Sequence, residues 1–231
     1  TKTGYELIGE LKENKSKITV EAKYIITADG YSSYIRRSFF KNLKFNHRIA
    51  SRYYYNPKTK INFSTSIIFD DEIIPGYFWA FQMDNNTYNT GVYLAENNNQ
   101  NIYEIHNYFM QKYFSHTLPK KEFSTWSIPY NTDFSKLVQQ NIVLTGDAAG
   151  LCDKMFGHGI DNAIISGYLA IESICKNEEK ENTYPLSEIY RYKLSQYLLE
   201  TLSSSEKIYD NLRKEKDNFI ELLQKNSQPN N

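Results

Sequence analysis

Cysteine, net charge and long apolar runs are all scarce in this 231-residue chain, and each absence closes a class of function. Two cysteines, Cys152 and Cys175, cannot build a disulfide framework and lack metal-ligand companions at the usual spacings, so both read as reduced thiols. The 27 Lys and Arg residues balance 27 Asp and Glu, which argues against a nucleic-acid partner. No apolar run is long enough to span a bilayer and no signal-peptide pattern opens the chain, so it reads as soluble, intracellular and cytoplasmic. The consecutive carboxylates Asp70, Asp71 and Glu72 fall in a turn and read as solvated, so no metal is assigned. Tyrosine is abundant at 20 residues, which by itself assigns no function.

The densest signal runs from Asn141 to Cys175. Ile142, Val143 and Leu144 read as a short buried strand, Gly146-Asp147 as a turn, and the residues from Ile160 onward as a helix with apolar side chains at helical spacing. Gly157 and Gly159 let the backbone approach a ligand closely. The first N–H groups of the helix, at Ile160 and Asp161, carry the positive end of its dipole, which suits an anionic or electron-rich group.

The order GDAAG (Gly146 to Gly150), GHGI (Gly157 to Ile160) and AIISGYLAIESI resembles the second flavin-binding motif of FAD-dependent oxidoreductases with the para-hydroxybenzoate hydroxylase type of fold. Within that group it is most similar to the geranylgeranyl reductase family. Lys154 stands where that family usually has proline, and His158 where it has glutamate. Upstream, Ala28-Asp29-Gly30 with Ser33 and Arg36 resembles the family's A-D-G-x-x-S-x-x-R motif. Ala-Asp-Gly alone is a common turn; two motifs in the family's order carry more weight. The resemblance implies FAD as cofactor, held by Asp29, Gly30, Gly146, Asp147, Gly157, Gly159 and Ile160, with NAD(P)H or another electron donor supplying reducing equivalents.

Between Phe45 and Ile128 the pattern changes to short strands: Phe45–Tyr55, Ile61–Phe69, Gly76–Met83, Thr87–Leu94 and Phe123–Ile128, broken by turn residues at Asn56-Pro57, Asp70 to Pro75 and Asn85-Asn86. An antiparallel sheet is predicted, with Ile61, Phe63, Thr65, Ile67 and Phe69 on a buried face opposite Asn62, Ser64 and Ser66. Ile102 to Phe114, after the Asn97 to Asn101 loop, has helical spacing and should cover the sheet. Alternation sets Tyr77, Trp79, Phe81 and Met83 on one face and Phe78, Ala80 and Gln82 on the other. The stripe is either plain core or, as resemblance to the family's G-Y-x-W-x-F-P segment implies, a wall facing substrate; Gln82 replaces the proline. Flavin halogenases carry a related segment, but their first paired tryptophan and the proline are absent here, which disfavours a halogenase.

The resulting fold class is mixed α+β and α/β: a partial FAD-binding Rossmann-type domain (1–37 and 139–176), an inserted antiparallel-sheet substrate domain (38–138), and C-terminal helices with a disordered tail (177–231). The helices, Leu186–Leu202 and Lys207–Leu223, are expected to pack on the sheet domain, and 224–231 to be disordered. A flavoprotein of this type opens with G-x-G-x-x-G, which the chain lacks, so it reads as the C-terminal part of a longer enzyme. The resemblance implies reduction of isoprenoid, geranylgeranyl-type double bonds in a lipid precursor, with Tyr77, Trp79, Phe81, Met155 and Phe156 around an apolar or lipid substrate and peripheral membrane contact through it. His158 is the one candidate proton donor, or it caps the helix. The alternatives are a flavin-dependent monooxygenase of the same fold and an inactive fragment without FAD.

Overall fold

A polar turn between two β-rich segments closes the first hairpin: β1 (Tyr5–Glu10) pairs antiparallel with β2 (Lys17–Ala22), Tyr5 opposite Ala22. The ladder ends at Ala22, and a separate strand, β3 (Ile25–Thr27), begins after Lys23-Tyr24. The computed structural model describes residues 4–59, 61, 63, 65–83, 86–94 and 101–215. These divide into two units, one within Thr1–Phe45, Asn131–Cys152 and Gly159–Glu200, the other within Asn46–Tyr130, Asp153–His158 and Thr201–Asn231. The boundaries thus fall at residues 45/46 and 130/131, where sequence reading set them at 37/38 and 138/139.

The first unit is built on β10 (Ile142–Leu144), whose unbroken apolar run is buried at all three positions. β3 pairs with it in parallel and β9 (Val138–Gln139) antiparallel, giving the order β3-β10-β9. A central strand covered on both faces needs such a run. α1 (Tyr34–Phe39) follows β3, with the Ser33 hydroxyl capping it at the Arg36 N–H, 2.9 Å. α3 (Ile160–Asn177) buries Asn162, Ser166, Leu169, Ala170 and Ser173, one stripe at helical spacing. α4 (Leu186–Tyr197) belongs to this unit, contrary to the expectation that it would pack on the sheet domain. Its fully buried Tyr190 donates to the Leu144 carbonyl at 2.9 Å, which ties it to β10.

The second unit is a five-stranded antiparallel sheet of β4 (Asn46–Tyr55), β5 (Ser66–Ile68), β6 (Tyr77–Gln82), β7 (Tyr88–Leu94) and β8 (Ser124–Tyr130), ordered β5-β6-β7-β4-β8. α2 (Ile102–Phe114) covers one face. There Phe78 stacks on Phe109 with ring centroids 5.0 Å apart, in a core with Ala80, Val92, Leu94 and Met110. The predicted long strand at Ile61–Phe69 is regular only over β5, and the face given as buried is so only in part: Phe63 and Phe69 pack against hydrophobic clusters, whereas Ile67 is 49% exposed and Thr65 is exposed. β5 is the sheet's edge, so only its inward side, through Ile68, meets the core.

The C-terminal helices break at Leu198, giving α4 and α5 (Leu199–Lys214) where two helices had been placed on either side of residues 203–206. Residues 216–223 of the predicted last helix, the tail 224–231, residues 97–100 of the predicted loop, and Asn62, Ser64 and Asn85 lie outside the described residues. Among the described residues no helix is long and apolar enough to cross a membrane, and no group of three or more His, Cys, Asp or Glu could hold a metal.

Candidate functional site

Parallel pairing of β3 and β10, Ile25 opposite Ile142 and Thr27 opposite Leu144, brings Asp29-Gly30 and Gly146-Asp147 to the carboxyl ends of neighbouring strands. That edge of an α/β sheet is where ligands bind, because loops there are free of the ladder and helix N-termini converge on it. The two ends are joined directly: Thr145 donates through its N–H and its hydroxyl to the Thr27 carbonyl, at 3.0 and 3.1 Å. Arg36, 9% exposed, completes the join by donating to the carbonyls of Ala148, at 3.2 Å, and Tyr31. Burial lowers its pKa, and the carbonyls and the rings of Tyr31 and Phe45 around its guanidinium offset that loss of water.

Left-handed backbone shapes the same edge. Gly146 turns with φ +51, and a Cβ there would sit 3.0 Å from the Ala163 methyl of α3. Gly30 has φ +77 with open space around a notional Cβ, so what fixes glycine there is backbone conformation. Asp29 spends one carboxylate oxygen on the Tyr34 N–H at 2.9 Å, shaping the entry to α1. Asp147 stands half-buried and accepts from the Cys152 thiol at 3.1 Å. Gly159, the N-cap of α3, gives the helix no side-chain cap, and a Cβ on it would lie 2.7 Å from Cys152 Sγ. Ile160, the first helical residue, is 74% exposed.

The second unit carries the other candidates. Strand alternation holds as read: Phe78 and Ala80 are fully buried toward α2, while Tyr77, Trp79 and Phe81 are half-buried on the opposite face. Tyr77 donates to the Phe156 carbonyl at 2.6 Å and Tyr93 to the Lys154 carbonyl at 2.8 Å, and burial raises both phenol pKa values well above the ordinary range. Met155 is buried against Ala50, Tyr93 and Tyr209, whereas Phe156 is 46% exposed. Gly157, φ +65, packs its backbone on the Tyr93 ring, where a Cβ would come within 2.8 Å. His158 is exposed and is not the helix cap, which is Gly159.

Asp153 is the buried organiser of residues 153–158. Its carboxylate accepts from the N–H groups of Met155, Phe156 and His158, at 3.0, 2.7 and 2.7 Å, and from the Ser205 hydroxyl at 2.8 Å. Lys154 beside it, in the position where proline was expected, reaches Asp210 at 2.8 Å and Glu206 at 3.3 Å on α5 and lies over the Tyr209 ring. Burial would lower the Lys154 pKa, but these two carboxylates outweigh it and raise it. Three of the four Asp153 partners lie within five residues of it, while Ser205 lies 52 residues away and was not legible.

The candidates therefore separate: Asp29, Gly30, Gly146, Asp147, Gly159 and Ile160 lie in the first unit, and Tyr77, Trp79, Phe81, Met155, Phe156, Gly157 and His158 in the second.

No family model matches the chain. Over 204 residues it is 28% identical to digeranylgeranylglycerophospholipid reductase 1 of Methanosphaera stadtmanae, covering 83% of this chain and 50% of that protein. The chain spans about half the length of the curated relatives it matches. Its fold is that of a geranylgeranyl bacteriochlorophyll reductase-like protein from Thermoplasma acidophilum, with a TM-score of 0.66, 21% identity, and 93% of this chain and 58% of that one covered. It is also that of Klebsiella pneumoniae HpxO, whose structure is a complex with FAD, with a TM-score of 0.60, 11% identity, and 97% and 61% covered. The fold class read from the sequence, Rossmann-type flavoprotein parts with an inserted antiparallel sheet, is that of these structures.

Proposed function

We propose that this chain is part of an FAD-dependent oxidoreductase that saturates isoprenoid double bonds in a lipid precursor. The observation that carries this reading is the adjacency of Asp29-Gly30 and Gly146-Asp147 at the carboxyl ends of two paired parallel strands. The similarity to a digeranylgeranylglycerophospholipid reductase supports the substrate class. The residues fit FAD: left-handed glycines at Gly30 and Gly146 keep the edge open to a flat ligand, and Asp147 offers a half-buried carboxylate to ribityl-type hydroxyls. α3 adds the positive end of its dipole beside Gly159 and Ile160, suited to the electron-rich side of the ring.

FAD bound there would supply hydride chemistry toward a carbon–carbon double bond, replenished by NAD(P)H or another electron donor. The chain's own contribution is binding and orientation. The Tyr77, Trp79 and Phe81 face, with Phe156, suits a hydrocarbon whose burial contributes about 0.8 kcal/mol per CH₂. His158 is the candidate to deliver the proton that completes the addition. A lipid substrate would bring the protein to the membrane surface. The test is anaerobic: protein from the complete reading frame, chemically reduced, is mixed with geranylgeranyl lipids and the products are weighed by mass spectrometry. Gains of two hydrogens per double bond support the reading. Product formed only in air, carrying an added oxygen, overturns it in favour of a monooxygenase.

A further inference from the structure

Two polar residues in the buried stripe of α3 hold the loop that follows β10 at both ends. Ser166 Oγ accepts from the Gly146 N–H at 3.0 Å, and Asn162 Nδ2 donates to the Leu151 carbonyl at 2.7 Å. Between them the backbone closes on itself as a single 3-10 turn over Gly146–Ala148, with the Gly146 carbonyl accepting from the N–H groups of Ala149 and Leu151 at 3.0 and 3.2 Å. Residue 152 is therefore delivered to a fixed place. There the Cys152 side chain, 3% exposed, donates through its thiol to Asp147 Oδ1 at 3.1 Å. Gly159 leaves room for the pair, since a Cβ on it would stand 2.7 Å from Cys152 Sγ and 3.6 Å from Asp147 Oδ1. Among the described residues Asp147 Oδ2 has no hydrogen-bond donor, which leaves that oxygen to a ligand.

We infer that Cys152 is a positioning residue for the cofactor, acting through Asp147: its thiol fixes the carboxylate by one oxygen and leaves the other for a ribityl-type hydroxyl. The chemistry of the thiol suits that task. It is a weak donor, so it orients the carboxylate while taking up little of the negative charge that strengthens a bond from the ligand. A hydrogen-bonded support behind a ligand-holding side chain also removes rotamer freedom before binding, so less ordering is left to oppose association. The role toward FAD rests on the function proposed above; the thiol–carboxylate pair does not.

The pair is read without flavin by the infrared S–H stretching band, which lies apart from other protein bands. In the 231-residue chain carrying Cys175→Ser at the exposed second thiol, Cys152 is the sole S–H group. Asp147→Ala should move its band to higher frequency and weaken it, as loss of the acceptor requires; an unmoved band overturns the inference. The role toward FAD is read by a double-variant cycle. Protein from the complete reading frame, unaltered and as Cys152→Ala, Asp147→Ala and both together, is stripped of flavin and titrated with FAD, following the quenching of flavin fluorescence. Cys152→Ala should weaken binding by about three- to ten-fold, the loss expected of one weak donor to a charged acceptor, and Cys152→Ser, which keeps a donor, should recover part of it. In the Asp147→Ala background the same change should cost less than about two-fold, because residues that act through one contact are not additive. Equal loss in both backgrounds would make Cys152 a packing residue and overturn the inference, as would undiminished affinity in Cys152→Ala. If Cys152→Ala does not fold, Cys152→Val, which fills the space without a donor, takes its place in the cycle. Loss at Asp147 with none at Cys152 sinks the positioning role alone, whereas an Asp147→Ala protein that binds FAD as the unaltered one does removes the cofactor assignment and this role with it.

Discussion

Arg36 Nη1 donates to the Ala148 carbonyl at 3.2 Å, so the helix that follows Asp29-Gly30 is tied to the turn that follows β10 by one buried side chain. Arg36→Met keeps much of the volume but leaves the Ala148 and Tyr31 carbonyls without that donor. The expected loss is about 2 to 3 kcal/mol, read as a lower urea midpoint of the first unit. Arg36→Lys, with one head for two acceptors, should fall between.

Asp153 gathers three backbone N–H groups and the Ser205 hydroxyl around one buried carboxylate. Asp153→Ala leaves these donors unpaired and should cost about 3 kcal/mol or more, visible in thermal unfolding and in faster proteolysis at 153–158. Ser205→Ala removes one donor and should cost about 1 kcal/mol. Equal stability of Asp153→Ala and the unaltered chain would show that the carboxylate does not organise the loop.

His106 sits fully buried on α2 between Ser51 Oγ, 3.0 Å from Nδ1, and Thr90 Oγ1, 3.2 Å from Nε2. Thr90 gives its own proton to the Tyr53 carbonyl at 2.9 Å, so it accepts from Nε2–H, and Nδ1 accepts from Ser51. Burial lowers the His106 pKa from 6.5 to about 3. In that window the unfolded chain takes up a proton and the folded chain does not. Stability from this group is therefore fully present above pH 6.5 and declines on acidification toward pH 3, by at most about 1.4 kcal/mol per pH unit. Chemical denaturation of the unaltered chain and of His106→Gln across that range should show a shallower pH slope in the variant.

Gly91 is sterically closed: a Cβ would stand 2.2 Å from the Ser51 carbonyl oxygen as well as 2.1 Å from the Trp79 ring. The carbonyl belongs to a paired strand and cannot swing away as a side-chain tip can. Gly91→Ala should cost about 1 to 3 kcal/mol and expel the indole, shifting tryptophan emission to the red.

What the sequence showed and what it hid follow from the range of the forces involved. Asp29-Gly30 and Gly146-Asp147 were legible because turns with left-handed glycines are local, and β6 was legible because alternation across a sheet needs only its own six residues. The break at Leu198 was not, since apolar spacing continues from α4 into α5 and Leu198 still bonds the Leu194 carbonyl. Ile67 was misplaced because alternation cannot tell an edge strand from a central one. His106 was missed for a third reason: its partners, Ser51 and Thr90, come from elsewhere in the chain, as does Ser205, the one distant partner of Asp153.

The central claim, that the loops after β3 and β10 hold FAD, is tested most directly at Asp147. Protein from the complete reading frame, unaltered and as Asp147→Ala, is saturated with FAD and dialysed, and retained flavin is measured by absorbance. Loss of a charge-assisted contact worth roughly 1.5 to 3 kcal/mol should weaken retention by about ten- to hundred-fold. Equal flavin content in the two proteins would contradict the assignment.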